Sequence, residues 1–164
     1  MDSQSTVGAQ FKTINILHIA MCLGVVLFLA VFRYLVKQDT TVAPEKNIIF
    51  EILGIAIGFV CVMAARLLFF SRTKAALTVS SLKEKIDIFR SAFIIQMALL
   101  EGAAFINIVF YYLTKDDLHF FISLGILLLM IVRRPTRSIA AMVLFNNMED
   151  KQQIYDDSML VKSN

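Results

Sequence analysis

Long apolar runs, rather than short alternating ones, dominate this chain of 164 residues. Three of them, residues 14–36, 48–70 and 92–113, are long enough to cross a bilayer, because about 20 apolar residues span the hydrocarbon core as a helix. A fourth, residues 118–132, has 15 residues. It must therefore thin the bilayer, extend through amphipathic flanks or enter only part way. The pattern predicts an all-α, polytopic membrane protein with four transmembrane helices, the fourth of them short.

Polar segments divide the chain into a polar N-terminus (1–13), a four-helix transmembrane domain (14–145) and a polar cytoplasmic tail (146–164). The connection 71–91 is long for an interhelical turn. It carries Leu82, Ile86 and Phe89 at helical spacing, with charged residues between them. We therefore expect the third helix to begin near Ser80 or Ser81, as an amphipathic extension of the span.

Basic residues set the predicted orientation, because Lys and Arg concentrate in cytoplasmic loops. The N-terminus, the connection 71–91 and the segment from residue 133 onward hold eleven of the 16 Lys and Arg residues, and the opposite side holds four. Arg66 lies inside the second span. The count predicts that both ends are cytoplasmic. We expect the protein to reside in a membrane and, more specifically, in a bacterial inner (plasma) membrane.

Composition agrees with a membrane location and excludes several other classes. Hydrophobic residues make up 58% of the chain, against roughly 45–50% in a soluble domain. The net charge of +3 is too small to suggest nucleic-acid binding. The two cysteines form no CxxC pair, and the sequence has no HExxH, GxSxG or P-loop motif. We expect no metal, no cofactor and no enzymatic activity.

Glu101 is the most informative polar residue, because it lies nine residues into the third span, close to the expected bilayer centre. A charge there costs roughly 2.5–3.5 kcal/mol, so an ionisable residue is a functional candidate by default. Desolvation favours the neutral acid. Two interpretations stay open. Glu101 binds a proton or cation, or it is a protonated residue that packs between helices.

Other polar residues in the spans suggest structural roles. Gln96 and Asn107 share a helix with Glu101 but are rotated from it by about 140° and 120°. We therefore expect both to form hydrogen bonds between helices. Glu51, three residues into its span, is expected to reach water, and His18 to form an interfacial hydrogen bond.

Glycine spacing predicts where helices pack closely. Gly54 and Gly58 form a GxxxG motif, which removes side chains from one helix face and allows another helix to approach. Gly102 is a third candidate for helix packing. Small-residue faces of this kind also favour a homo-oligomer.

The stretch from Arg90 to Phe105, with Ala98-Leu-Leu-Glu101-Gly102, resembles the second helix of the proteolipid (c-type) subunit of rotary ATPases. The resemblance extends weakly over residues 48–113, where Gly54 and Gly58 stand for the glycine-rich first helix. It implies a helical hairpin with a cytoplasmic loop and an ion-binding carboxylate at Glu101. The Arg-Gln-Pro signature of the family's polar loop is missing, and further spans flank the hairpin.

The sequence therefore predicts two alternative functions. The first is a membrane component that handles a proton or cation through Glu101. The alternative is a non-enzymatic structural or accessory protein. In that role its basic segments, Arg72–Arg90 and Arg133–Arg137, would bind anionic lipid headgroups or a cytoplasmic partner.

Overall fold

A computed structural model describes residues 5–41, 48–145, 151–152, 154–156 and 160–161. The four main helices are α1 (Val7–Gln38), α2 (Ile48–Ala75), α3 (Leu82–Thr114) and α4 (Asp117–Val132). The shorter elements are a 3₁₀ turn (Ala76–Thr78), α5 (Arg137–Leu144) and the two-residue strands β1 (Ser5–Thr6) and β2 (Leu160–Val161). The strands pair antiparallel, with Ser5 opposite Val161. The predicted helical class is confirmed, with this small strand pair as an addition.

Three helices, α1, α2 and α3, are long and apolar enough to cross a membrane. Large apolar side chains on their surfaces are exposed, among them Leu27 at 64% and Phe59 at 67%. Helix α4 has 16 residues, which is about 24 Å of helix against a hydrocarbon core of about 30 Å. Helix α4 is long and apolar enough to cross a membrane only if it is taken together with α5, and the chain bends by 77° between these two helices.

The helices extend beyond the predicted apolar spans. Helix α1 begins seven residues before position 14, because the hydroxyl of Thr6 accepts a hydrogen bond from the N–H of Ala9 at 3.3 Å and caps the helix. Helix α2 continues to Ala75, so most of the predicted connection 71–91 is helical. The predicted start of α3 is confirmed at Leu82, where the carbonyl of Ser81 accepts from the N–H of Lys85 at 3.1 Å.

The chain forms two compact units. The first comprises Met1–Ile19, Arg66–Gln96 and Arg134–Asn164, and the second comprises Ala20–Ala65 and Met97–Arg133.

Aromatic rings form the core of the first unit. The ring of Phe89 lies 6.1 Å from that of Phe11 and 6.0 Å from that of Phe69, measured between centroids. The ring of His18 is buried and lies 5.8 Å from that of Phe93. Phe89 therefore faces inward, as its position on the amphipathic extension predicted.

Charged contacts hold the helix ends of the second unit together. Lys115 has a positive φ of 55°, the left-handed conformation that commonly ends a helix, and it separates α3 from α4. Its ammonium group contacts the carboxylate of Asp39 at 3.0 Å. The guanidinium of Arg33, on α1, donates to Tyr111 and Asp117. These contacts fix the end of α1 against the turn between α3 and α4.

We expect the Asp39 contact to resist acid. Hydrogen bonds from the hydroxyl and N–H of Thr41, and from Lys115, lower the pKa of Asp39, which follows the end of α1, from 3.8 to about 2. Such a carboxylate stabilises the fold above its unfolded pKa, and the contribution is lost as the pH falls from about 4 to about 2. Asp39→Asn should therefore lower the unfolding temperature in detergent at pH 6. The difference from wild type should shrink below about pH 4, and a constant difference down to pH 2 would contradict the assignment.

Candidate functional site

The carboxyl group of Glu101 lies against α1 within the second unit. Its Oε1 would be 3.3 Å from a Cβ built on Gly24, so the absence of a side chain at Gly24 leaves room for the carboxyl group. The residue is half-buried, and it interacts electrostatically with the thiol of Cys22, also on α1. Along α3, Glu101 is 14 residues before Lys115 and 11 after Arg90, distances of about 21 Å and about 16 Å. It therefore lies near the middle of the apolar part of α3.

Asn107 lies on a different face of α3 and contacts α2. Its amide nitrogen donates to the carbonyl of Gly54 at 3.3 Å and to the carbonyl of Ala103 at 3.0 Å. Its amide oxygen lies 3.2 Å from Nδ1 of His119, on α4. Asn107 therefore connects three helices.

The polar cluster around Asn107 continues along α4. The hydroxyl of Ser123 donates to the carbonyl of Ala104 at 3.2 Å and to that of His119 at 2.9 Å. Both Ser123 and His119 are fully buried. Glu51 and Asp116 are close enough to His119 to interact with its ring electrostatically. We call Glu51, Asn107, His119 and Ser123 the polar cluster of the second unit.

The three glycines predicted to pack against other helices differ in the space around them. A Cβ on Gly54 would lie 2.5 Å from Nδ1 of His119 and 2.7 Å from the amide oxygen of Asn107, so α4 approaches α2 there because no side chain intervenes. A Cβ on Gly58 would be 3.4 Å from Ile122, an ordinary contact distance. A Cβ on Gly102 would meet no atom within 4 Å. Gly102 is therefore not a close-packing position within the described chain.

Sequence reasoning found part of this cluster. Asn107 forms the expected interhelical hydrogen bond, whereas Gln96, which is 5% exposed, forms no hydrogen bond with another described helix. Glu51, which was expected to reach water, is partly exposed, and one of its carboxyl oxygens, Oε1, is buried. His119 and Ser123 were not singled out. Their spacing of four residues, which places both on one face of a short apolar helix, is the signal that could have found them.

Within the described residues, no group of three or more His, Cys, Asp or Glu side chains could hold a metal ion. Comparisons of the chain with protein-family models, curated proteins and solved structures gave no match.

We expect Gly54→Ala and Gly102→Ala to have opposite effects on stability. The first adds a methyl group where His119 and Asn107 hold each other in place, and overpacking of this kind costs about 1–3 kcal/mol. The second adds a methyl group in open space, and the better helix propensity of alanine contributes up to about 1 kcal/mol. Gly58→Ala should change stability in the same direction as Gly102→Ala, because its added methyl group makes only ordinary van der Waals contacts. Unfolding of the four proteins in one detergent measures the series, and equal stabilities of Gly54→Ala and Gly102→Ala would contradict the close approach at Gly54.

Proposed function

We propose that this integral membrane protein handles a proton or a monovalent cation through Glu101. The position of the carboxyl group supports this most directly. The carboxyl group of Glu101, on α3, lies next to Gly24, on α1, and no side chain at position 24 comes between them. Two ion pairs of the described residues involve other carboxylates, those of Asp39 and Asp117. Glu101 is not neutralised by a neighbouring Lys or Arg in this part of the chain.

A carboxyl group in this position can exist as a neutral acid or as a carboxylate that binds a cation. In an apolar environment the neutral acid is favoured by desolvation, and a bound cation favours the ionised form. Because Gly24 presents no side chain, the carboxyl group is not enclosed by α1. Exchange between these states would constitute proton or cation handling. The resemblance to proteolipid subunits points the same way.

The proposal includes four spans, with α4 as the short fourth one, both ends in the cytoplasm, and a bacterial inner membrane. It also includes association of several copies. The glycine face of Gly54 and Gly58 contacts His119 and Ile122 of the same chain. Copies that associate through small residues would therefore use the open face at Gly102.

A second candidate function is that of an accessory protein that binds anionic lipid. A cavity of about 320 Å³ supports it, since its lining includes Lys12, Arg134 and Arg137 together with Asn15 and Thr136. Three cationic groups around one open cavity suit a phosphate-bearing headgroup. The cavity includes part of the basic segment 133–137 that the sequence predicted as a lipid contact.

Glu101 should be modified by a hydrophobic carbodiimide near neutral pH, because this reagent requires a protonated carboxyl group that is accessible from the apolar phase. Glu101→Gln should abolish the modification and should also abolish proton flux in proteoliposomes under a pH gradient. Gly24→Leu should reduce both, because its side chain occupies the space that faces the carboxyl group. Mass spectrometry and a pH-sensitive dye inside the vesicles measure the two effects.

Glu84→Gln is the matched control, since Glu84 lies in the exposed first turn of α3. It should change neither the modification nor the flux. Absence of modification in the wild type, together with equal flux in Glu101→Gln, would refute ion handling at Glu101. The lipid-binding function would then be the better explanation.

The proposed topology predicts how single cysteines react with a membrane-impermeant thiol reagent on intact cells. Thr40 and Ser80 are exposed positions on opposite sides of the predicted membrane. Thr40 is chosen for the cysteine, and not its neighbour Thr41, because the hydroxyl of Thr41 accepts a hydrogen bond from the ammonium group of Lys115 at 2.6 Å. In a background that lacks Cys22 and Cys61, Thr40→Cys should react and Ser80→Cys should react only after lysis. The reverse pattern would invert the proposed orientation.

A further inference from the structure

The hydrogen bonds of Asn107 determine which nitrogen of His119 carries its proton. The amide nitrogen of Asn107 is oriented by two carbonyl groups, those of Gly54 and Ala103, which can only accept hydrogen bonds. The amide oxygen therefore faces the ring, 3.2 Å from Nδ1 of His119. Because this oxygen is also an acceptor, Nδ1 must be the donor.

The other ring nitrogen consequently has a free lone pair inside the protein. His119 is 0% exposed, and its Nε2 has no hydrogen-bond partner in the described chain. Buried polar atoms without a partner are rare and call for an explanation. A hydrogen bond on one ring nitrogen combined with a free lone pair on the other is the arrangement of a histidine that accepts a proton.

Two carboxylates interact electrostatically with the ring of His119. From α2, the charge of Glu51 acts on the ring, and from the connection between α3 and α4 that of Asp116 does so. Helix α3 contributes Asn107 and the ring of Phe110, whose centroid is 5.5 Å from that of His119. The other carboxylate near the start of α4, Asp117, pairs with Arg33 instead.

We infer that His119 is a second proton-binding site, separate from Glu101, in which Nε2 accepts a proton when the pH falls and Glu51 and Asp116 balance the resulting charge. In this step the lone pair of Nε2 forms an N–H bond, and the O–H bond of the donor breaks. The donor is a hydronium ion, which leaves as a water molecule. The proton on Nδ1 stays hydrogen-bonded to Asn107 throughout.

Nuclear magnetic resonance of ¹⁵N-histidine in the full-length protein, reconstituted in lipid nanodiscs, tests this inference. The chain has two histidines, so His18→Gln leaves His119 as the sole signal. Near pH 8 we expect a proton on Nδ1 and none on Nε2. As the pH is lowered over the range in which the protein stays folded, we expect Nε2 to become protonated while Nδ1 keeps its proton. Asn107→Leu should abolish the preference for Nδ1 in the neutral ring.

The charge balance is tested in the same His18→Gln background. Glu51→Gln should lower the ratio of protonated to neutral His119 about threefold or more at a given pH, because it removes a nearby negative charge. Glu84→Gln removes a carboxylate that does not act on His119, and it should leave the ratio unchanged. Glu101→Gln should also leave it unchanged, which separates this site from the one proposed at Glu101. A proton on Nε2 near pH 8, a ring that stays neutral down to the lowest pH at which the protein remains folded, or an unchanged ratio in Glu51→Gln would overturn the inference.

Discussion

The hydrogen bond between Asn107 and the carbonyl of Gly54 is the contact on which the second unit depends. A side chain can reach a helix carbonyl of a neighbouring helix only where the two backbones are close, and the glycine at position 54 allows this. The apolar interior offers no water to replace such a bond, so each buried polar group needs a partner within the protein. The position of His119 follows, because its ring fills the space beside Gly54 and contacts the same amide.

Helix α3 presents a different polar face to each of its neighbours. Glu101 faces Gly24 on α1, and Asn107 faces α2 and α4. Six residues of helix separate them, so their side chains point about 120° apart. The two proposed proton sites are therefore not parts of one polar pathway on the surface of α3. A proton that passed between them would need groups on another helix, and this is why each site is proposed and tested separately.

The sequence predicted those features that depend on long apolar runs or on local spacing. The three long helices and the start of α3 at Leu82 belong to this group, as does the interhelical role of Asn107. The sequence did not predict which helices meet at a given residue. Glu51 lies near a helix end and was expected to reach water; it is partly exposed, and tertiary packing buries one of its carboxyl oxygens, Oε1. Gly102, like Gly54, was predicted to pack against another helix. Of these two glycines, Gly54 alone has side chains of neighbouring helices within contact distance.

Helix α4, the proposed fourth span, shows how polar contacts can hold a helix that is short for a bilayer. Its apolar stretch ends at Val132, before Arg133 and Arg134, and at its other end Asp116 accepts a hydrogen bond from the N–H of Leu118 at 2.9 Å. Both buried polar residues of α4, His119 and Ser123, bind α3, through Asn107 and the carbonyl of Ala104. Such bonds contribute about 0.6 kcal/mol each on average in a membrane. They also fix the rotation of α4, because turning the helix would expose two polar groups to an apolar environment. The rotation of α4 is therefore set by its contacts with α3, even though the helix is short for the hydrocarbon core.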